Sequence, residues 1–133
     1  MKVRELIGML SDKQKRSVER CLEECDLVDM EEEIPTELPS DVMEFVKVIA
    51  NPIRASILKM LNNRWLCVCL IAKALGQDQT LISHHLRTLK KFGLLHERRE
   101  GKLRFYRTNR EVLGEYLKKL SVELLGGGLE TSE

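Results

Sequence analysis

The chain has 133 residues, enough for one compact domain with an appendage. At 43 % apolar and 5 % aromatic its core must be mainly aliphatic, and no apolar run approaches the roughly 20 residues of a membrane span. The net charge of +1 hides an asymmetry: residues 1–40 carry 6 basic and 11 acidic side chains, residues 41–133 carry 16 and 10, and residues 79–110 carry 9 and 2.

The start, Met1-Lys2-Val3-Arg4-Glu5, lacks the apolar stretch of a secretion signal, so a cytoplasmic protein without a membrane partner is expected. Thiols stay reduced there. The four cysteines, Cys21, Cys25, Cys67 and Cys69, therefore suggest metal binding or redox sensing before structural disulfides.

Val3, Leu6, Ile7 and Leu10 suggest a short first helix. Ser11 with Gln14 forms a capping-box signature, and the helix after it aligns Val18, Cys21, Leu22, Cys25 and Val28 on one face. Met30 to Pro39 is acidic, contains Pro35 and Pro39, and reads as a linker or extended arm. Ser40 or Asp41 is the expected cap of a helix with an apolar face of Val42, Phe45, Val46 and Ile49.

Pro52 suits the first turn of the next helix, whose buried stripe is Ile53, Ile57, Leu58 and Leu61 and which Asn62-Asn63 should end. Leu66 to Leu75 is predicted as a helix closed by Gly76. Asp78 then caps a helix from Gln79 to about Lys91, with Leu81, Ile82, Leu86 and Leu89 facing the core and Gly93 ending it. Leu94 to Arg99 and Leu103 to Thr108 read as strands around a turn at Glu100-Gly101. A last helix aligns Val112, Leu113, Tyr116, Leu117, Leu120 and Leu124 before Gly126-Gly127-Gly128, and the tail is expected to be flexible.

This order predicts a mainly α (α+β) winged helix-turn-helix with N- and C-terminal dimerisation helices. The expected division is a helical extension and acidic linker (1–40), a winged-helix DNA-binding and dimerisation domain (41–125), and a tail (126–133).

A helix of about ten residues fits the major groove and reads bases from its N-terminal half. That half offers Gln79, Thr80, Ser83, His84 and Arg87. Gln pairs with adenine, Arg with guanine or phosphate. The hairpin adds Arg98, Arg99, Lys102 and Arg104 for phosphates or the minor groove, and Lys90 and Lys91 suit the backbone. Of His84 and His85, one is expected as an exposed contact and the other packed, since adjacent helical residues do not face each other. One of Phe105 and Tyr106 should enter the core. Nothing points to catalysis: there is no Ser/His/Asp order, phosphate loop or carboxylate pair near the cysteines.

Residues 41–125 resemble the ArsR/SmtB family of winged-helix repressors. The resemblance rests on Ala50-Asn51-Pro52-Ile53-Arg54, Leu66-Cys67-Val68-Cys69, the segment from Gln79 to Leu89, and Arg98-Arg99-Glu100-Gly101-Lys102. It implies a homodimer that occupies a double-stranded, inverted-repeat operator and leaves it when an inducer metal binds. Among its branches the chain is most similar to the cadmium- and lead-sensing one, where two N-terminal cysteines complete the Cys-x-Cys. Here they correspond to Cys21 and Cys25, which implies a site built from Cys67 and Cys69 of one chain and Cys21 and Cys25 of the other. The inducer implied is Cd, Pb or Zn, with no organic cofactor.

Ala72 stands where the arsenite-sensing branch has a third cysteine. Trp65 and Leu70 replace acidic residues usual in the family, and Asn109 to Leu125 holds no histidine for the zinc site some members carry on the last helix.

Four thiolates suffice for a soft or borderline divalent ion. Cys67 and Cys69, however, are two apart, and an ideal helix separates such residues by about 200°. One ion takes both only at an irregular first turn. Two other readings stay open. The cysteines form a thiol redox switch on the same winged-helix regulator, or they are small packing residues.

Overall fold

A computed structural model describes residues 1–126 and divides the chain into two compact units, Met1–Glu37 and Leu38–Glu133. Residues 127–133, including most of the glycine run and the expected flexible tail, lie outside the described residues.

In the first unit, α1 (Val3–Gly8) is followed by α2 (Asp12–Glu24). The capping box forms as read: Ser11 Oγ accepts from the Gln14 amide at 3.2 Å, and the Gln14 side chain accepts from the Ser11 amide at 3.2 Å. The acidic segment folds back on α1. The Val3 amide donates to the Glu32 carbonyl and the Ile34 amide to that of Met1, both at 3.0 Å. Arg4 and Lys2 meet Glu31 at 2.7 and 3.2 Å, so its acidity finds partners locally. The stripe expected on α2 is not a buried one. The helix buries none of its residues, Cys21 is exposed, and Cys25 is an exposed C-cap in extended conformation beyond the last turn.

The second unit contains α3 (Ser40–Ile49), α4 (Pro52–Met60), β1 (Leu66–Cys67), α5 (Val68–Leu75), α6 (Gln79–Lys91), β2 (Leu95–Glu100), β3 (Leu103–Thr108) and α7 (Arg110–Leu125). The strands form an antiparallel sheet in the order β1-β3-β2. The core is aliphatic around one aromatic pair. Ile57, Leu61, Ile71, Ile82, Leu89 and Leu94 are fully buried, and Phe45 stacks on Tyr116 with ring centroids 4.7 Å apart.

Local chemistry sets most boundaries. Asn51 Oδ1 accepts from the amides of Ile53 and Arg54 at 2.9 and 3.1 Å, with Pro52 opening α4. Asp78 caps α6 through the Thr80 amide at 3.1 Å. Gly76 ends α5 at φ +62, a left-handed conformation that a Cβ would disfavour. Neither Ser40 nor Asp41 caps α3. Pro39 holds that position, while Asp41 accepts from the adjacent Val42 amide. The face of α3 is also turned from expectation: Val42, Phe45 and Val48 are buried, and Val46 and Ile49 only half-buried.

Two further corrections matter for the site. Leu81 is 37 % exposed rather than in the core. The helix expected from Leu66 begins only at Val68, because Leu66 and Cys67 pair with Tyr106 and Phe105 of β3. Ladder hydrogen bonds to β3 hold these two residues extended against any helical preference.

Candidate nucleic-acid interface and thiol pair

Helix α6 presents Gln79, Thr80, His84, Arg87 and Lys90 to solvent, with Ser83 half-buried and His85 packed beneath them. On the wing, Arg98, Arg99, Lys102 and Arg104 are exposed, while Tyr106 is the hairpin aromatic that enters the core. Gly101 turns the hairpin at φ +61. In the β2–β3 register Arg99 lies directly opposite Arg104. Like charges facing each other across a strand pair are unfavourable unless an anion lies between or beside them. Arg104 has such an anion in Glu97, whereas Arg99 has no carboxylate partner among the described residues.

Charge reading alone missed Glu97. It forms a hydrogen-bonded ion pair with Lys90, lies 3.5 Å from Arg104, and accepts from the Tyr106 hydroxyl at 3.5 Å. Arg98 pairs with Glu100. Three of the expected DNA-facing cations are thus engaged by the only two acids of the 79–110 segment. Arg87, Arg99 and Lys102 have no carboxylate partner among the described residues. The signal was available, since two acids among nine bases must meet neighbours of opposite charge.

The Lys90 hydrogen bond holds the Glu97 carboxyl below the usual carboxylate range, against the upward push of partial burial and with help from Arg104. Its stabilising effect is therefore present above the unfolded value of about 4.3 and is lost as pH falls through the lower folded value. Glu97→Gln is expected to release Lys90 and Arg104 at neutral pH. Fluorescence anisotropy should then show several-fold tighter binding to random duplex and a steeper salt dependence. Unchanged binding would mean that these two cations do not face DNA.

The cysteines of this unit sit beside the same surface. Cys67 is 4 % exposed and ends β1, with its backbone extended at φ −89, ψ 165 as the N-cap of α5. Cys69 lies one turn-step into the helix and is half-buried. The extended N-cap cancels the angular separation of a regular helix, and the two Sγ atoms approach to 2.9 Å. Burial pushes the Cys67 thiol up, but the Cys69 thiol and the amides of Leu70 and Cys69 outweigh it and set it lower than usual. Its partner Cys69 is pushed up by the same thiol contact and by burial. The two thiols therefore titrate as a pair. Both line a cleft of 280 Å³ together with Gln79, Ser83, Lys102 and Arg104.

These residues fit a soft cation in part. Tetrahedral Zn–S bonds of about 2.3 Å set sulfurs about 3.8 Å apart, a spacing reached from 2.9 Å by a small side-chain rotation. Two thiolates fall short of four, and among the described residues no three metal-binding side chains are gathered at one place. Cys21 and Cys25 belong to the first unit, where both are exposed.

A helix pair, α5 and α6, followed by the β2–β3 hairpin and backed by α3, α4 and α7, defines a winged helix-turn-helix protein. Residues 51–97 match the family described as bacterial regulatory protein, arsR family. An HTH-type transcriptional regulator of Methanocaldococcus jannaschii is 45 % identical over 64 residues, which is 47 % of this chain and 72 % of that protein. A cadmium resistance transcriptional regulatory protein CadC homolog of Staphylococcus aureus is 34 % identical over 82 residues, 61 % of this chain and 68 % of that one. A homodimeric winged helix-turn-helix DNA-binding domain from Mycobacterium bovis aligns with a TM-score of 0.52 at 31 % identity, covering 67 % of this chain and 81 % of that one. The chain belongs to the ArsR family, a family of transcription regulators. Among the described residues, no helix is long and apolar enough to cross a membrane.

Proposed function

We propose that the protein is a homodimeric repressor that reads an inverted-repeat operator through α6 and the wing and leaves it when a soft cation binds thiolates. Bases are read by Gln79, Thr80, Ser83, His84 and Arg87. The backbone is held by Lys90, Arg98, Arg99, Lys102 and Arg104, of which Arg99 and Lys102 have no acidic partner among the described residues. One observation carries the regulatory half: Cys67 and Cys69 open into the cleft that Gln79, Ser83, Lys102 and Arg104 also line. A charged, thiolate-bound ion there alters the position and potential of the residues that meet DNA. The ion is of the Cd, Pb or Zn class, and exposed Cys21 and Cys25 of the partner chain complete its shell. Relatives named for cadmium and arsenical resistance and for a SmtB homolog support a metal inducer. Titrating the reduced protein with Cd²⁺ while following operator occupancy tests this reading, and occupancy that ignores the metal defeats it.

Of the two apolar stripes expected to form a dimer interface, that of α3 is taken up by the core, where Val42 and Phe45 are buried, so dimerisation is assigned to α7. Val112, Leu113 and Tyr116 pack on the core, yet Leu117, Val122, Leu124 and Leu125 are 44–66 % exposed, and Leu120 is half-buried between the two sets. So wide an apolar strip on one helix suits a two-fold contact. Leu120→Glu is expected to give monomers by sedimentation at micromolar concentration. Operator binding should fall with it because the half-sites are no longer linked. A variant that remains dimeric places the interface elsewhere.

A further inference from the structure

Arg54 occupies the third position of α4, where its side chain reaches two other helices. Its Nε donates to the Val48 carbonyl of α3 at 2.7 Å, and its Nη1 lies 3.2 Å from Nδ1 of His85 on α6. A guanidinium has donors only. The His85 nitrogen facing it must therefore be the acceptor, which places the ring proton on Nε2 and leaves the imidazole neutral. His85 is 7 % exposed and lies between Ser83 and Arg87 on the helix that reads DNA.

The charged or titratable groups facing His85 are Arg54 from α4 and His84 from its own helix, whose ring centroid is 5.7 Å away. Among the described residues no carboxylate pairs with Arg54 or with either histidine. A proton on Nδ1 would thus turn an accepted hydrogen bond into two adjacent cations with no anion between them.

We propose that Arg54 is a positioning residue for DNA reading: it fixes α6 against α3 and α4 through neutral His85, and protonation of His85 releases that hold. The proposal rests on the reading of α6 as the DNA-reading helix. It gives operator affinity a pH dependence of defined sign. Burial, then the charges of Arg54 and His84, make His85 harder to protonate than an ordinary histidine. The clamp is therefore complete above about pH 6.5 and is lost as pH falls through the lower folded value. His84 puts a second imidazole on the exposed face of the same helix. The test is therefore made in a His84→Gln background.

Two measurements decide the matter. First, imidazole ¹⁵N–¹H correlation spectra of the full chain without DNA should show His85 as the Nε2–H tautomer at neutral pH. The Nδ1–H tautomer overturns the proposal. Second, operator affinity of the His84→Gln protein should be level from pH 7.5 to about 6.5 and fall at lower pH, approaching about tenfold per pH unit below the folded value, the limit for one proton. His85→Asn puts an amide oxygen near the place of Nδ1 and should keep the neutral-pH affinity while flattening the profile. Arg54→Gln should weaken operator binding at pH 7.5, with melting temperature followed to detect unfolding. A profile already flat with His85 present, or one that His85→Asn leaves unchanged, overturns the clamp. If no variant binds DNA at any pH, the DNA-reading proposal fails, whereas the tautomer still reports on the Arg54 contact.

Discussion

Cd²⁺ added to the reduced protein is expected to produce ultraviolet sulfur-to-metal charge transfer that saturates at about one ion per chain, with the intensity of about three or four Cd–S bonds. It should also lower operator affinity about 5–150-fold, the range of a coupling free energy of about 1–3 kcal/mol. The variants are not expected to behave alike. Cys67 is buried and lines the cleft beside Gln79 and Lys102. Cys67→Ser should therefore abolish release from DNA while leaving apo binding intact. Cys25→Ser should lower absorption intensity and affinity and leave some release if, as proposed, the N-terminal thiols only complete the shell. If Cys21→Ser with Cys25→Ser leaves spectrum, affinity and release untouched, the sensor uses Cys67 and Cys69 alone.

Salt should have the other large effect. A dimer presents Arg87, Lys91, Arg99 and Lys102 twice, about eight cations that can each displace a counterion. Operator affinity is then expected to fall about 10³–10⁵-fold between 50 and 200 mM monovalent salt. Arg87→Ala should weaken binding and, if its partner is a phosphate, reduce the slope of log affinity against log salt by about two, one contact per protomer. If its partner is guanine, the slope stays near its original value and discrimination at one base pair of each half-site is lost, at a cost of about 1–3 kcal/mol. Lys102→Ala should act as the phosphate case does, since a lysine ammonium meets DNA chiefly as a point charge. Reduced apo-protein that binds its own promoter no better than random duplex, at any salt concentration, would remove the repressor reading altogether.

Much of the architecture was legible because its signals are local. Ser11 with Gln14, Pro52, Gly76, Asp78 and Gly101 each act on amides or dihedrals within a few residues, and each does in the structure what its residue type predicts. Periodicity found α6 and α7, and the excess of bases over acids from 79 to 110 marked the wing. The exposed and packed partners were also separable in advance as a pair, though not which histidine was which, since only packing decides that His85 turns inward.

What the tertiary structure alone decided is a set of meetings between residues distant in sequence. The pairing of Cys67 with Phe105 makes Leu66–Cys67 a strand, and this ends the expected helix early. That change turns Cys67 into an N-cap and brings its sulfur to the side of Cys69, which helical spacing had set about 200° away. Lys90 meets Glu97 only because the wing folds back along α6, and Arg54 meets His85 only because α4 packs across that helix. Arg54 and His85 stand 31 residues apart, beyond any local window, and Lys90 and Glu97 are separated by the turn from helix to strand. Local preference governs hydrogen bonds made within a turn, but ladders and side-chain contacts between elements form only once the core has fixed where those elements lie.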